Sequence, residues 1–216
     1  LFLNSQEVYD VGFDGKAAQE MLKGVSKVGL KHMAMWENGF RNYTNNDHAI
    51  ETPADCKGQK IRTMENAYHL QFWKQMGANP TPMSFSEVYI GLQQGTIDAQ
   101  ENAYEIIVSA KLYEQQKYLI STNAVPDYTT LIVSDEFYQG LTKEQQKIID
   151  QAAETAQEKA RESADDRRVQ RQKVLEDEGM QIVDVDQKTW KQMQEKCQPV
   201  YDSIRKQAGD KLVDLY

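Results

Sequence analysis

The chain has 216 residues, of which 40% are apolar, 27% charged and 9% aromatic, which is the composition of an ordinary folded globular protein. Its 33 acidic and 25 basic side chains give a net charge of −8. So acidic a protein is a poor candidate for binding nucleic acid or anionic membrane surfaces, since both need a basic face. No apolar run approaches the roughly 20 residues that span a bilayer.

Cysteine and histidine are too scattered to suggest a metal site. Cys56 and Cys197 match no metal-ligand spacing, and His32, His48 and His69 form no paired motif. We therefore expect no metal and no cofactor. A single disulfide between the two cysteines and two free thiols both remain open, with free thiols favoured.

Predicted helices and strands alternate through the first part of the chain. In chain order they are a helix over 8–25, a strand over 28–36, a turn at 37–39, one helical turn from 53, a strand over 60–64, a helix over 67–76, an extended segment over 79–82, a helix over 84–94, a strand over 96–100, a helix over 104–116, and strands over 118–125 and 128–133. This alternation predicts an α/β fold with substantially parallel strand pairing.

Capping boxes predict two of the helix starts. Ser84 and Glu87 have the spacing of one box, and Thr142 and Gln145 have the spacing of another. After the second box, no Gly or Pro occurs until Gly179. About 36 residues at 1.5 Å each predict a helix of about 54 Å.

The middle of this long helix, over 161–172, is polar on nearly every side, whereas apolar residues occur on both sides of it. A stripe that breaks and resumes favours a bridge between two packed bodies over a coiled coil. A strand over 181–185 follows, and 188–216 is predicted to be mostly helical with an interruption near Pro199.

Several motifs together resemble the DctP-type solute receptors of TRAP transporters. They are WENGFR at 36–41, GQKIR at 58–62, GANPTPM at 77–83, FSEVY at 85–89, LQQGTIDAQEN at 92–102 and YEQQKY at 113–118. The resemblance covers nearly the whole chain in the family's order. Ala99 and Ala103 depart from it, since the family often has Gly and Pro there.

The resemblance implies a two-lobed, periplasmic-binding-protein-like (Venus flytrap) α/β fold with a long helix that spans both lobes. It implies that residues 1–38 belong to lobe I, 39–127 form lobe II, 128–160 return to lobe I, and 161–216 hold the rest of the spanning helix, the last strand and the C-terminal helix. It also places residues 1–3 well inside the first lobe, so that roughly a third of the family's mature chain would precede them.

The resemblance implies that Arg62 binds the carboxylate of a ligand, and a guanidinium matches a carboxylate with two parallel hydrogen bonds. Arg41 is a second candidate contact, and an ion pair at the hinge is its equally open alternative. Phe85 would pack against the carbon skeleton of the ligand, although an aromatic is more often a core residue.

Asn102 follows a strand, and its amide suits a carboxylate or a hydroxyl, or else caps the next helix. Glu65 and Asn66 are weaker candidates for lining the cleft. Trp36 is expected in the core. No catalytic arrangement is visible, so we do not predict an enzyme.

The sequence therefore predicts a periplasmic receptor, a monomer, for a small organic acid such as a sugar acid or a C4-dicarboxylate. Its expected partners are the ligand and the membrane subunits of a TRAP transporter. An α/β enzyme acting on an organic acid and a ligand-sensing domain remain alternatives, because a fold by itself does not decide function.

Overall fold

A computed structural model describes residues 7–215, and the lobe assignment of residues 1–3 lies outside that range. Its centre is a six-stranded sheet with the strand order β3-β2-β4-β1-β5-β6. The strands are β1 Leu30–Asn45, β2 Lys60–Thr63, β3 Asn79–Pro82, β4 Ala99–Asn102, β5 Tyr118–Ser134 and β6 Gln181–Asp184.

Ten α-helices surround the sheet within residues 7–215. They are α1 Lys16–Val25, α2 Ala67–Gln75, α3 Val88–Gln93, α4 Tyr104–Ser109, α5 Asp135–Gln139, α6 Lys143–Glu162, α7 Ala164–Asp177, α8 Gln187–Lys196, α9 Gln198–Ala208 and α10 Asp210–Val213. None of the helices in this range is both long and apolar enough to cross a membrane.

One strand runs against the other five. β1 is antiparallel to both of its neighbours, β4 and β5. The remaining pairs, β2–β3, β2–β4 and β5–β6, are parallel. The α/β prediction is confirmed. The expected parallel pairing holds among β3, β2 and β4 and between β5 and β6, but not for the two pairs that β1 makes. The sheet is mixed because β1 enters its centre in the reverse direction.

The predicted turn at 37–39 is wrong, because β1 continues straight through it. The ladder between β1 and β5 instead shifts register at three places, one of them between Glu37 and Gly39. Gly39 has a φ of +93°, which a residue without Cβ adopts at little cost. The two predicted strands over 118–133 are likewise one strand, β5, since Pro126 pairs opposite Phe40 within the ladder. Bulges absorb the local irregularity without ending the pairing.

The long helix predicted over 143–178 is two helices. α6 ends and α7 begins at Ser163, which has φ −94° and ψ 2°. Ser163 Oγ donates to the carbonyl of Lys159 at 2.8 Å, and Arg167 Nη1 donates to the carbonyl of Ala160 at 2.9 Å. Side chains that compete for helix carbonyls in this way bend or interrupt a helix.

Three other local predictions also need correction. The helix over 8–25 is split, because a π-helical segment, Val8–Phe13, precedes α1. A Cβ at Gly15, between them, would lie 2.5 Å from the carbonyl oxygen of Val11. The helix over 104–116 ends at Ser109. Ser84 makes no capping hydrogen bond, and its hydroxyl instead faces that of Ser86 at 3.0 Å.

The predicted capping box at Thr142 is confirmed, since Gln145 N donates to Thr142 Oγ1 at 3.2 Å and Thr142 N donates to Gln145 Oε1 at 2.9 Å. The helical turn at 53 is a 3-10 helix, Pro53–Cys56. Gly77, just past the end of α2, has the left-handed φ of +89° that favours glycine.

Two hydrophobic cores meet at β5, whose consecutive residues Leu119 and Ile120 belong to different cores because side chains alternate across a strand. One includes Ile61, Phe72 and Trp73 with residues of α8 and α9, and the other includes Leu119 and Leu175 with residues of α3 and α4.

Cys56 and Cys197 are both buried in the first core and are not bonded to each other. Burial raises the pKa of each thiol to about 12, which leaves both protonated and poorly reactive at neutral pH.

Arg161, in the last turn of α6, connects this helix to the π-helical segment Val8–Phe13 and the following Asp14. Its guanidinium donates to both carboxylate oxygens of Asp14 at 3.0–3.2 Å and to the carbonyl of Met35 at 3.1 Å. The same group lies 5.3 Å from the ring centroid of Tyr9 and 5.2 Å from that of Phe13. This one side chain therefore combines a bidentate ion pair with two cation–π contacts.

We expect Arg161→Lys to destabilise the protein by about 1–2 kcal/mol, because a lysine keeps the charge but loses the planar fork and its fit to the two rings. Urea unfolding measures the change. The control is Lys159→Gln, which removes an exposed ion pair with Glu162 in the same helix. It should leave the urea midpoint of unfolding unchanged. Equal stability of Arg161→Lys and the parent would contradict the proposed role of the fork.

Candidate functional site

The predicted site residues gather where β2 and β4 end and where β1 passes between β4 and β5. Arg62 lies on β2, while Glu101 and Asn102 end β4. Arg41 lies on β1, opposite Val125 of β5, and Asn42 of β1 pairs with Asn102. Ligands commonly bind beyond the carboxyl ends of parallel strands, and β2 and β4 are parallel.

Arg62 is a buried guanidinium without an internal counter-ion. The residue is 4% exposed, and its Nε and Nη2 both donate to the carbonyl oxygen of Met83, at 3.0 and 2.8 Å. No carboxylate within residues 7–215 lies within 4.0 Å of it. A guanidinium has five N–H groups, so three of them have no protein acceptor in that part of the chain.

The positive charge of Arg62 is therefore buried and has no carboxylate partner to neutralise it. Burial, followed by the positive charge of Arg41, lowers the pKa of Arg62, and Glu101 only partly opposes them. An arginine nonetheless stays charged in a protein. A buried positive charge of this kind is costly unless an anion joins it.

Phe85 lies beside Arg62, as the predicted site requires. Its ring centroid is 5.7 Å from the guanidinium carbon, and the residue is 45% exposed. The ring is thus not a core residue, which was the alternative. It offers an apolar face next to the charge.

Arg41, in contrast, already has carboxylate partners within the protein. Its Nε donates to Glu101 Oε2 at 2.5 Å, and its Nη2 donates to the Glu101 carbonyl at 2.6 Å and to Asn102 Oδ1 at 2.9 Å. Nη1 lies 3.4 Å from Asp127. Burial lowers the pKa of Arg41, but Glu101 and Asp127 outweigh it, so the pKa is raised. The geometry favours the ion-pair alternative for Arg41, and a ligand contact through Nη1 stays a prediction.

Glu101 is the residue of this site that the sequence reasoning missed. It is 2% exposed and accepts from Arg41, while its other oxygen lies 3.3 Å from Nδ1 of His69. Burial raises the pKa of Glu101, but Arg41 and His69 outweigh it and the net shift is downward. The sequence does contain a signal, because the polar residues 100–102 follow the apolar Ile97 and Ala99 in a predicted strand. Polar side chains that are buried in a strand need hydrogen-bond partners.

Asn102 is buried, and both its amide oxygen and its amide nitrogen are hydrogen-bonded. Its Oδ1 accepts from Arg41, and its Nδ2 donates to Gln100 Oε1 at 2.6 Å. Gln100 then donates to Thr44 Oγ1, and Thr44 donates to Gln116 Oε1, each at 2.8 Å. Asn102 is not the cap of α4, since Ala103 occupies that position. The network orients Asn102, and its contact with a ligand stays a prediction.

Glu65 and Asn66 are placed less favourably. Asn66 caps α2, with its Oδ1 accepting from Tyr68 N at 2.9 Å and from His69 N at 3.4 Å. Both Glu65 and Asn66 are exposed beyond the end of β2. Trp36, expected in the core, is only half-buried on β1.

Comparison with known proteins places the chain in a family. The family described as "Bacterial extracellular solute-binding protein, family 7", DctP, matches residues 1–207. The chain belongs to this family. The predicted resemblance is confirmed, and the two-lobed fold class with it, since the similar solved structures are TRAP periplasmic solute-binding proteins.

The chain is similar to periplasmic binding proteins of known name. It is 36% identical over 182 residues to the 2,3-diketo-L-gulonate-binding periplasmic protein YiaO of Escherichia coli, which is 82% of this chain and 54% of that protein. It is 29% identical over 212 residues to the sialic acid-binding periplasmic protein SiaP of Vibrio cholerae, and the match covers 98% of this chain and 64% of SiaP. The chain spans about half the length of the first curated relatives that it matches.

Two solved structures show the same fold. The sugar acid binding protein DctPAm of Advenella mimigardefordensis, in complex with galactonate, is 30% identical with a TM-score of 0.90, over 98% of this DctP chain and 68% of that one. A TRAP solute-binding protein of Sulfitobacter with bound β-D-galacturonate is 29% identical with a TM-score of 0.86. The match covers 94% of this chain and 66% of that one.

We expect Glu101→Gln to destabilise the protein by about 3–5 kcal/mol, because it leaves Arg41 buried with its main counter-ion removed. Urea unfolding measures the loss. Glu105→Gln is the matched control, since Glu105 forms a partly exposed pair with Arg171 and its loss should cost much less. Equal losses in the two variants would contradict the burial argument.

The same experiment has a pH signature. The pKa of Glu101 is lower in the folded than in the unfolded protein, so its stabilising contribution is present above the unfolded value and is lost as pH falls through the folded one. The stability difference between parent and Glu101→Gln should therefore shrink in acid.

Proposed function

We propose that this DctP chain is the receptor part of a periplasmic solute-binding protein that captures a small organic acid and delivers it to TRAP membrane subunits. The observation that carries the proposal is Arg62, a 4% exposed guanidinium with three N–H groups for which the described chain offers no acceptor. A ligand carboxylate would neutralise it through two parallel hydrogen bonds.

Arg41, Asn102 and Phe85 support Arg62 in this proposal. Arg41 adds positive potential from the neighbouring strand, while the Asn102 amide is held in one orientation by Arg41 and Gln100. The Phe85 ring supplies the apolar face for the carbon skeleton. Glu65 and Asn66, at the rim, are proposed only as outer contacts.

A sugar acid is the proposed ligand class. Its carboxylate suits Arg62, its hydroxyl groups suit amides that both donate and accept, and its C–H face suits an aromatic ring. Relatives that are named for diketogulonate or sialic acid, or solved with galacturonate or galactonate, have ligands of this chemistry.

In the proposed mechanism the protein binds and releases its ligand unchanged, as a monomer, rather than transforming it. Residues 39–127 would form one lobe with the anchor Arg62. Residues 128–160 would return to the other lobe, which also holds 1–38, and 161–216 would complete the connection. Closure of the two lobes on the acid would present the bound state to the membrane subunits.

Ligand charge provides the first test, made on the longest natural chain that carries this sequence. We expect galacturonate and galactonate to raise the melting temperature, since a ligand that binds only the folded protein stabilises it. Galactose and galactitol, which lack the carboxylate, are the controls and should not. Equal shifts from acids and neutral analogues would contradict the proposal.

The second test is Arg62→Lys, which keeps the charge but loses the fork. Hydrogen bonds to charged groups contribute about 1.5–3 kcal/mol each, so the loss of one should weaken binding of the acid found in the first test by roughly ten- to a hundred-fold. Arg62→Ala should bind more weakly still, because the carboxylate would be buried without a partner. Calorimetry measures both affinities.

Arg205→Lys is the control for this test, because Arg205 pairs with Asp210 and Asp214 near the C-terminus. Its affinity for the acid should equal that of the parent. If Arg62→Lys also binds within about twofold of the parent, the carboxylate is held elsewhere.

A further inference from the structure

The Arg62 guanidinium has two edges on which a carboxylate fits, each with two N–H groups pointing the same way. The inner edge consists of Nε and Nη2, and the outer edge consists of Nη1 and the second N–H of Nη2. The inner edge is occupied, because Nε and Nη2 both donate to the carbonyl oxygen of Met83, at 3.0 and 2.8 Å. Within residues 7–215, no acceptor is hydrogen-bonded to Nη1. The outer edge is therefore the one that remains for a ligand.

The Met83 carbonyl is held in place by the strand that precedes it. β3 ends at Pro82, which pairs with Thr63 of β2, and Met83 N donates to the Thr63 carbonyl at 3.3 Å. Pro80 and Pro82 fix their own φ angles and keep the residue before each of them extended. The pairing of β2 with β3 thus sets where the Met83 carbonyl lies relative to Arg62.

The Met83 side chain is anchored as well. It packs against the hydrophobic core that contains Val88, Leu92 and Ile97. It also lies close to Gly91 in α3, where an added Cβ would be 3.3 Å from Met83 Sδ and 3.2 Å from the side chain of Ile97. Those distances are shorter than the optimal separation of two nonbonded atoms. The absence of a side chain at Gly91 leaves the room that Met83 occupies.

Phe85 completes the surroundings of the guanidinium. Its ring centroid lies 5.7 Å from the guanidinium carbon of Arg62, and only Ser84 separates it from Met83. One short segment, Met83–Phe85, therefore supplies both a hydrogen-bond acceptor and an aromatic ring to Arg62. Arginine has a long side chain with many rotamers, and binding is weakened when the ligand itself must order such a side chain. A guanidinium that the protein has already oriented avoids that loss.

We propose that Met83 is a positioning residue for the organic acid, because its carbonyl holds the inner edge of Arg62 and leaves the outer edge to bind the carboxylate through Nη1 and Nη2. This inference rests on the proposed function, in which Arg62 is the anchor. It adds the direction of approach, since the carboxylate then lies beyond Cζ, in line with the Nε–Cζ bond. Met83 acts through Arg62 rather than by contact with the acid.

NMR spectroscopy with isotope-labelled arginine tests the two edges separately, on the longest natural chain that carries this sequence. The Arg62 signals are identified by their loss in Arg62→Lys. In the ligand-free protein we expect the Nε–H of Arg62 to exchange slowly with solvent, because it is buried and hydrogen-bonded. Titration with galacturonate should shift the Nη signals, while the Nε–H signal keeps its position because it stays on Met83.

An ester bond after Met83 tests the carbonyl itself, since an ester carbonyl is a weaker acceptor than an amide carbonyl. Ser84→Ala is the reference, and the variant carries lactic acid, the hydroxy acid analogue of alanine, at that position. The N–H that is lost has no acceptor within residues 7–215. We expect faster exchange of the Arg62 Nε–H and roughly two- to tenfold weaker binding of galacturonate, as for the loss of one ordinary hydrogen bond.

Two substitutions test the anchoring of the Met83 side chain. Met83→Gly removes the contact with the core and frees the backbone, so Nε–H exchange should become faster and the affinity for galacturonate should fall. Met83→Leu keeps an apolar side chain of similar volume and should restore both. A side chain that only stabilised the fold would lower the melting temperature in Met83→Gly without changing the exchange of the Arg62 Nε–H, and that result would contradict the inference.

Failure of this inference is distinguishable from failure of the proposed function. If galacturonate and galactonate leave the melting temperature of the parent unchanged, the proposed ligand class is wrong, while the Nε–H exchange rates still decide whether Met83 orients Arg62. If galacturonate binds but shifts the Nε–H signal, or if the ester and its amide reference bind it equally well, the positioning role of Met83 is wrong and the proposed function stands.

Discussion

The buried Arg41–Glu101 pair determines how charge is distributed where β2 and β4 end. Removing a guanidinium and a carboxylate from water costs several kcal/mol for each ion, and only close pairing with good geometry offsets that cost. Glu101 meets this condition by accepting from Arg41 at 2.5 Å, and the pair joins β1 to the end of β4. Since Glu101 is committed to Arg41, the neighbouring Arg62 is left without an internal counter-ion. One ion pair thus leaves a buried, uncompensated positive charge beside it.

The reversed strand β1 runs from the proposed carboxylate site to the break between α6 and α7. Arg41 and Glu37 lie on it four residues apart, and register shifts against β5 occur next to both. A bulge re-aims the side chains around it without ending the ladder. The break between α6 and α7 at Ser163 faces the same part of β1, since Glu37 and Ala164 line one cavity. The elements that must bend when two lobes close are expected to be irregular in this way.

Family membership and site geometry support the same function by separate routes. The family match and the named relatives concern solute binding, and they do not depend on the environment of any one side chain. The isolated charge of Arg62 and the adjacent Phe85 ring are instead observed directly in the structure of this chain. Fold by itself would leave an enzyme or a sensor equally open, so it is the uncompensated guanidinium that favours a receptor for an acid.

The sequence by itself determined the local elements and the family. The capping box at Thr142, the left-handed Gly77 and the extended 79–82 all follow from the conformational limits of a few residues, which act over short range. The motif around Arg62 also pointed to the proposed anchor. Only the tertiary structure decided the rest. It reversed β1, carried β1 through the expected turn at Glu37, broke the long helix at Ser163, and paired Arg41 with Glu101. These outcomes depend on partners at least 60 residues away, such as Glu101 for Arg41, or on competition for a carbonyl group, and neither is encoded in local spacing.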